Sequence, residues 1–265
     1  MKDKVIIITG ASSGIGKALT FALAKNDNKL VLAARNIEKL NAIIQKIKIK
    51  KINVIGIETD ICKSEDCKQL IDKCLAEFGR IDVLINNAGI SMRALFNETD
   101  LEVIKRVMDT NFWGTVFCTK YALANLLQTK GSLIGISSIA GHIGLPERSA
   151  YSASKFAMHG FLESVRSENL ENDLHVLIAC PGFTASNIRK TALTKDGRPQ
   201  NASPRNEQKM MTSEQVAKKI VCAINCRKDS LTLSVNGKLA VWLNRFFPKI
   251  AKRLVFNHFK KEKHF

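Results

Sequence analysis

Short runs of Val, Ile and Leu alternate with longer amphipathic stretches along this chain, and no other feature restricts its possible folds so strongly. A strand, an amphipathic helix and a second apolar strand build a right-handed crossover, and repeating that unit generates a parallel sheet. Residues 4–9, 29–33, 53–59, 83–86, 132–137, 175–179 and 231–235 read as strands. Helical periodicity fills the intervals at about 15–25, 37–47, 64–78, 101–129, 152–171 and 213–225, the last opened by Thr212-Ser213-Glu214. The order predicts an α/β fold: a doubly wound, seven-stranded parallel sheet with helices on both faces.

A chain of 265 residues accommodates such a sheet in one domain. With 45% hydrophobic residues and a mean hydropathy of -0.04, the chain has the composition of a folded globular protein. It lacks the run of about 18–20 apolar residues that a spanning helix needs, and its first strand is too short for a signal-peptide core, so a cytoplasmic location is expected. Seven scattered cysteines without a Cys-x-x-Cys pair read as reduced thiols, with no metal expected. The net charge of +17 attracts polyanions, but the lysines are dispersed and lack interleaved aromatics, which argues against nucleic acid.

The segment Thr9-Gly10-Ala11-Ser12-Ser13-Gly14-Ile15-Gly16 follows the first strand and opens the first helix. That is where backbone N–H groups and the helix dipole meet a dinucleotide pyrophosphate. Gly10 suits a tight turn, Gly14 a close approach to phosphate, and Gly16 close helix–sheet packing.

With this glycine spacing come Asn86-Asn87-Ala88-Gly89, Asn111, Ser138, Tyr151-x-x-x-Lys155 and Pro181-Gly182. In that order the chain resembles the short-chain dehydrogenase/reductases from about residue 4 to 235, which implies a Rossmann-type domain, here 1–237. Residues 181–211 and the following helix further resemble a branch called dehydrogenase/reductase member 7-like. Members there often carry a membrane anchor; this chain opens on its first strand, so membrane residence is not carried over. The resemblance implies a homodimer or homotetramer built on helices 101–129 and 152–171.

An acid usually grips the adenosine ribose of NAD at the end of the second strand. Here the sequence is Ala33-Ala34-Arg35-Asn36, and Arg35 offers a bidentate contact to a 2′-phosphate with no carboxylate to repel it. NADP(H) is therefore expected in preference to NAD(H). By resemblance, Ser12, Ser13 and Ile15 join the glycines at the phosphates, Asn36 joins Arg35, and Asp60 and Ile61 flank adenine. Asn87, Ala88 and Gly89 line the second ribose, while Pro181, Gly182 and Thr184 meet the carboxamide.

Carbonyl reduction needs a hydride and a positioned acid. Tyr151 is the candidate acid, and Lys155, four residues on along a helix, shares its face. That spacing brings a cation near the phenol and lets the lysine reach the nicotinamide ribose. The resemblance assigns Ser138 to the substrate oxygen, with Ser137 as the alternative, and Asn111 to a water in a proton relay toward the lysine.

Residues 185–211, with Gly197, Pro199 and Pro204, are too long for a plain connection and are expected to form a mobile substrate lid. Met92, Phe96, Ile143, Leu145, Phe183 and Ile188 are candidates to line an apolar pocket for a lipophilic carbonyl or alcohol. Residues 238–265 form a basic amphipathic extension interrupted by Pro248, suited to packing on the domain, on a second subunit or on an anionic membrane surface. Two other readings remain open: an NADPH-binding regulatory protein without turnover, which an intact Asn111, Ser138, Tyr151 and Lys155 disfavours, and a sugar-nucleotide epimerase or dehydratase, which the short chain disfavours.

Overall fold

The computed structural model of the protein describes residues 1–48, 52–202 and 210–262. At its centre lies β1 (Val5–Thr9), between β2 (Lys29–Ala34) and β4 (Val83–Asn86). The sheet continues outward to β3 (Val54–Glu58) on one side and through β5 (Ser132–Ile136), β6 (His175–Cys180) and β9 (Ser230–Thr232) on the other. Its order is β3-β2-β1-β4-β5-β6-β9, and every pairing is parallel. The seven expected strands are the seven of this sheet, displaced by a few residues at their ends.

Helices cover both faces, and so the strands read as unbroken apolar runs. Ile6 and Ile8 of β1 join a core with α1 (Gly14–Leu23), α2 (Ile37–Lys48) and α7 (Ser213–Asn225), through Leu19, Leu23, Leu40, Ile43 and Ile220. Val5 and Ile7 join the opposite core with α3 (Ser64–Phe78), α5 (Gly114–Gln128) and α6 (Ser149–Glu168), through Leu70, Leu126, Met158 and Leu162. Alternate residues of one strand thus serve two cores, each fully buried Ile contributing about 1.5–3 kcal/mol.

At the foot of the sheet, buried Asp82 accepts from the Val5 N–H (3.0 Å), Lys4 Nζ (3.1 Å) and Arg80 Nη2 (2.6 Å). Burial pushes its carboxyl up, but the three hydrogen bonds prevail and hold it below the usual value. This staple ties the start of β1 to the start of β4, on either side of the point where the strand order reverses. The crevice for a ligand lies at the other end of the same strands.

Two expected elements are divided. The helix expected at 101–129 comprises α4 (Leu101–Met108), a π-helical turn at Asp109–Trp113, and α5. The extension forms α8 (Val235–Phe246) and α9 (Pro248–Glu262), because Pro248 lacks an N–H to continue α8 but suits the first turn of α9. The last strand stops at Thr232 instead of 235, as Ser234 takes a φ of 67° and caps α8 through Gly237 N.

Candidate functional site

The glycine turn joins β1 to α1. Gly10 and Gly14 have φ of 63° and 52°, a left-handed backbone costly for residues with a Cβ. A Cβ on Gly16 would lie 2.3 Å from Gly10 O and 2.4 Å from Asn87 Nδ2, so the first turn of α1 sits directly on the loop. Asn87 Nδ2 donates to Thr9 O (2.8 Å) and Gly10 O (3.2 Å), while Thr9 Oγ1 accepts from the N–H groups of Asn87 and Ala88. The Asn87–Ala88–Gly89 bend and the glycine turn therefore form one unit. Ser13 occupies the N-cap of α1 without a side-chain capping bond, and its first turn carries no acid. Half-buried Ser12 and Ile15 and exposed Ser13 stand at the N-terminus of α1, the positive end of its dipole.

Along the crevice, Arg35 is exposed beyond β2, where Ala34 stands in place of an acid. Exposed Asn36 caps α2, its Oδ1 accepting from Lys39 N (2.7 Å). Asp60 Oδ1 accepts from Cys62 N (3.1 Å), and Ile61 sends its side chain into the core against Gly114. Beyond β6, Pro181 is buried, Gly182 lies against Ser234, and buried Thr184 donates its hydroxyl to Gly182 O (3.1 Å).

Tyr151 and Lys155 lie one turn apart on α6, both buried, with Nζ 6.0 Å from the centroid of the phenol ring. Lys155 Nζ donates to Ile136 O at the end of β5 (2.9 Å). Burial brings this ammonium down to about 8, opposed by the electrostatic effect of Cys180. Burial also pushes the Tyr151 phenol up, while the Ser138 hydroxyl and the Arg148 cation pull it back. Ser138 starts a 3-10 turn (Ile139–Gly141), accepting from Ala140 N (3.2 Å), and faces the tyrosine. Ser137 instead lies 2.7 Å from His159 Nε2 in the interior, so Ser138 is the serine brought to Tyr151.

Asn111 sits fully buried in the π-helical turn, an irregularity frequent at functional sites. Its Nδ2 donates to Ile90 O and Ser154 Oγ (2.9 Å each), and its Oδ1 accepts from Ile90 N (2.8 Å). The side chain locks the bend after β4 onto α6. A Cβ on Gly89 would meet Asn111 Oδ1 at 3.0 Å and Lys155 Nζ at 3.6 Å, so this glycine lets the bend approach both.

The short chain dehydrogenase family profile matches residues 4–197. Dehydrogenase/reductase SDR family member 7B of Xenopus tropicalis is 32% identical over 271 residues, covering 99% of this chain and 88% of that protein. This chain belongs to the short-chain dehydrogenase family. The 11-beta-hydroxysteroid dehydrogenase A of Arachis hypogaea is 40% identical over 189 residues, 71% of this chain and 54% of that protein. Among solved structures, a short-chain dehydrogenase/reductase from Burkholderia phymatum in complex with NAD superimposes with a TM-score of 0.83. It is 23% identical and covers 94% of this chain and 95% of that one. An alcohol dehydrogenase from the archaeon Thermococcus sibiricus complexed with 5-hydroxy-NADP gives 0.75 at 24% identity, covering 87% and 95%. At these identities the two structures speak for the fold.

As a short-chain dehydrogenase, the chain is an oxidoreductase acting on CH–OH groups. Its residues fit a dinucleotide: Gly10 and Gly16 leave no room for a Cβ, Gly14 has a left-handed backbone, the first turn of α1 carries no acid, and Arg35 follows β2. Arg148, three residues before Tyr151 and donating to Ser91 Oγ (3.2 Å), escaped the sequence reading, as did Ser154, the partner of Asn111. Nothing in composition or spacing distinguishes either from a surface polar residue; their roles arise from the packing of α6 on the bend after β4.

Segment 185–211 is expected from the sequence to be a mobile substrate lid; its described residues, 185–202 and 210–211, are held by pairing and hydrogen bonds. Short strands Thr184–Ala185 (β7) and Met211–Thr212 (β8) pair in parallel at its base. Leu193 bridges to Met92 and Pro199, Gln200 Nε2 donates to Arg93 O (3.0 Å), and buried Arg189 donates to Thr184 O (2.9 Å). Residues 203–209, including Pro204, lie outside the described residues. Tyr151 joins an apolar cluster with Met92, Val103, Val107, Ala150 and Leu193, against which Leu145 packs. Of the other pocket candidates, Ile143 is buried and Ile188 half-buried, whereas Phe96 and Phe183 are exposed.

No helix is long and apolar enough to cross a membrane among the described residues.

Proposed function

We propose that the protein is an NADPH-dependent carbonyl reductase that uses Tyr151 as its proton donor, working in reverse on secondary alcohols. The observation that carries this reading is the meeting of Tyr151, Ser138 and Lys155 beside the glycine cradle. NADPH, when bound, supplies the hydride for the carbonyl carbon. Tyr151 gives the phenolic proton to the carbonyl oxygen, Ser138 donates a hydrogen bond to that oxygen, and the Lys155 cation stabilises the phenolate left behind. Below about pH 8 the charged lysine and protonated phenol coexist, the state needed for reduction. Asn111 positions the bend after β4 and the nearby relay to Lys155. Arg35 recognises the 2′-phosphate, and Ser12, Ser13 and the α1 N–H groups hold the pyrophosphate.

The apolar cluster around Tyr151 supports a lipophilic substrate, with Met92, Leu145 and Leu193 forming its wall. The assay is NADPH oxidation against steroid, retinoid, long-chain 3-keto and small dicarbonyl compounds. Turnover with a bulky apolar carbonyl is expected. Tight NADPH binding without turnover on any of them would favour the regulatory reading.

We assign residues 1–237 to the oxidoreductase domain and 238–265 to an extension that partly packs on it. Within the extension, Asn244 Nδ2 donates to His142 O (2.9 Å) and Ala251 is buried. Trp242, Phe246, Phe247, Ile250 and Leu254 remain exposed near Arg245, Lys249, Lys252 and Arg253, which supports peripheral contact with an anionic membrane. Exposed Trp113 on the π-helical turn and Phe156 on α6 support a homodimer or homotetramer through α5 and α6.

A further inference from the structure

Behind the reaction centre, three metal-ligating side chains from separate elements converge. His142 follows the 3-10 turn after β5, His159 lies on α6 and Cys180 ends β6. Cys180 Sγ is 3.5 Å from His142 Nε2 and 3.6 Å from His159 Nε2, and one ligand atom from each residue lies within 4.8 Å of the others. The imidazoles meet edge to face with centroids 4.6 Å apart. Cys180 and His159 are buried, while half-buried His142 leaves an approach from solvent.

We propose that His142, His159 and Cys180 form a binding site for one borderline-soft divalent cation, with zinc the best match. Zinc–nitrogen bonds of about 2.0–2.1 Å and a zinc–sulfur bond of about 2.3 Å, at tetrahedral angles, set nitrogen–sulfur edges of about 3.5–3.6 Å. The two nitrogen–sulfur distances, 3.5 and 3.6 Å, have that length. Two imidazoles and a thiolate are the donors that zinc, or cobalt in its place, prefers over calcium or magnesium. The fourth position falls to water, and His159 Nε2 exchanges its 2.7 Å hydrogen bond with the Ser137 hydroxyl for the metal. Coordination breaks the Cys180 S–H bond, forms a metal–sulfur bond and releases that proton to solvent; no electron is transferred.

The site is distinct from the dinucleotide cradle. It is also invisible in sequence, where the three residues lie 17 and 21 positions apart on three elements. Its existence is independent of the reductase reading, because binding is observable without turnover.

The test is a cobalt titration of the full chain carrying Cys222→Ser and Cys226→Ser, which removes the two exposed thiols. One equivalent of cobalt should produce a thiolate charge-transfer band and visible bands of a tetrahedral ion, both displaced by zinc. Cys180→Ser should abolish the charge-transfer band. His142→Ala, at the half-buried position, should keep the fold by circular dichroism and weaken binding at least tenfold, the lower end of about 10–100-fold for losing even an outer partner. Absence of the bands in the parent chain, or unchanged bands and affinity in His142→Ala, would overturn the proposal. If Cys180→Ser does not fold, His142→Ala decides alone.

Discussion

Tyr151 and Lys155 are buried together, and burial moves them in opposite directions: the phenol holds its proton more tightly and the ammonium less. Their chemistry therefore depends on nearby charges and donors, of which Ser138 and Arg148 are already in place. Arg35 is exposed at the end of β2, and the proposed NADPH preference rests on it. Arg35→Ala should weaken NADPH binding by about 10–100-fold, the worth of a charge-assisted contact, and leave NADH binding nearly unchanged. Fluorescence titration with both cofactors checks this, and equal losses would refute the proposed preference. The tyrosine, lysine and glycine motifs were readable because each is a short pattern at the end of a strand or on one face of a helix. Ser138 was singled out over Ser137 only through the family resemblance, since both close the same strand; in the structure the contact of Ser137 with His159 separates them. Arg148 and the capping duty of Asn36 likewise depend on what each side chain meets.

At the scale of elements, burial on both faces made the strands legible as continuous apolar runs. The division of α4 from α5 was hidden, because a π-helical turn adds one residue to a helix without changing its composition. Pro248 did mark the break in the extension, but the helical start at Val235 was missed where Ser234 turns the chain. The Asp82 staple belongs to this scale. Its lowered carboxyl contributes stability above the unfolded value, and that contribution is lost as pH falls through the folded value. Asp82→Asn should cost about 2 kcal/mol at neutral pH, by analogy with hydrogen bonds to a charged group, and progressively less in acid. Urea unfolding at several pH values measures the difference; a loss independent of pH would assign it to packing.

For the whole molecule, two sets of exposed aromatics matter apart from Phe96 and Phe183. Trp113 and Phe156 belong to the helices expected to join subunits, and Trp242, Phe246 and Phe247 belong to the extension. The sequence showed both as apolar residues but not which were covered, since exposure is decided by neighbours distant along the chain. Replacing Trp242, Phe246 and Phe247 by Ser should abolish co-sedimentation with phosphatidylserine-containing vesicles while light scattering still reports a dimer or tetramer. Retained vesicle binding would reject the membrane contact, and a monomer before substitution would reject the α5–α6 assembly. The reductase account itself rests on one oxygen atom of one side chain. Tyr151→Phe, compared with the unaltered chain on the best carbonyl substrate, should lower turnover by about 10²–10⁴-fold, the usual contribution of a general acid, with NADPH affinity nearly unchanged. Equal turnover in the two proteins would contradict the assignment of Tyr151 as proton donor.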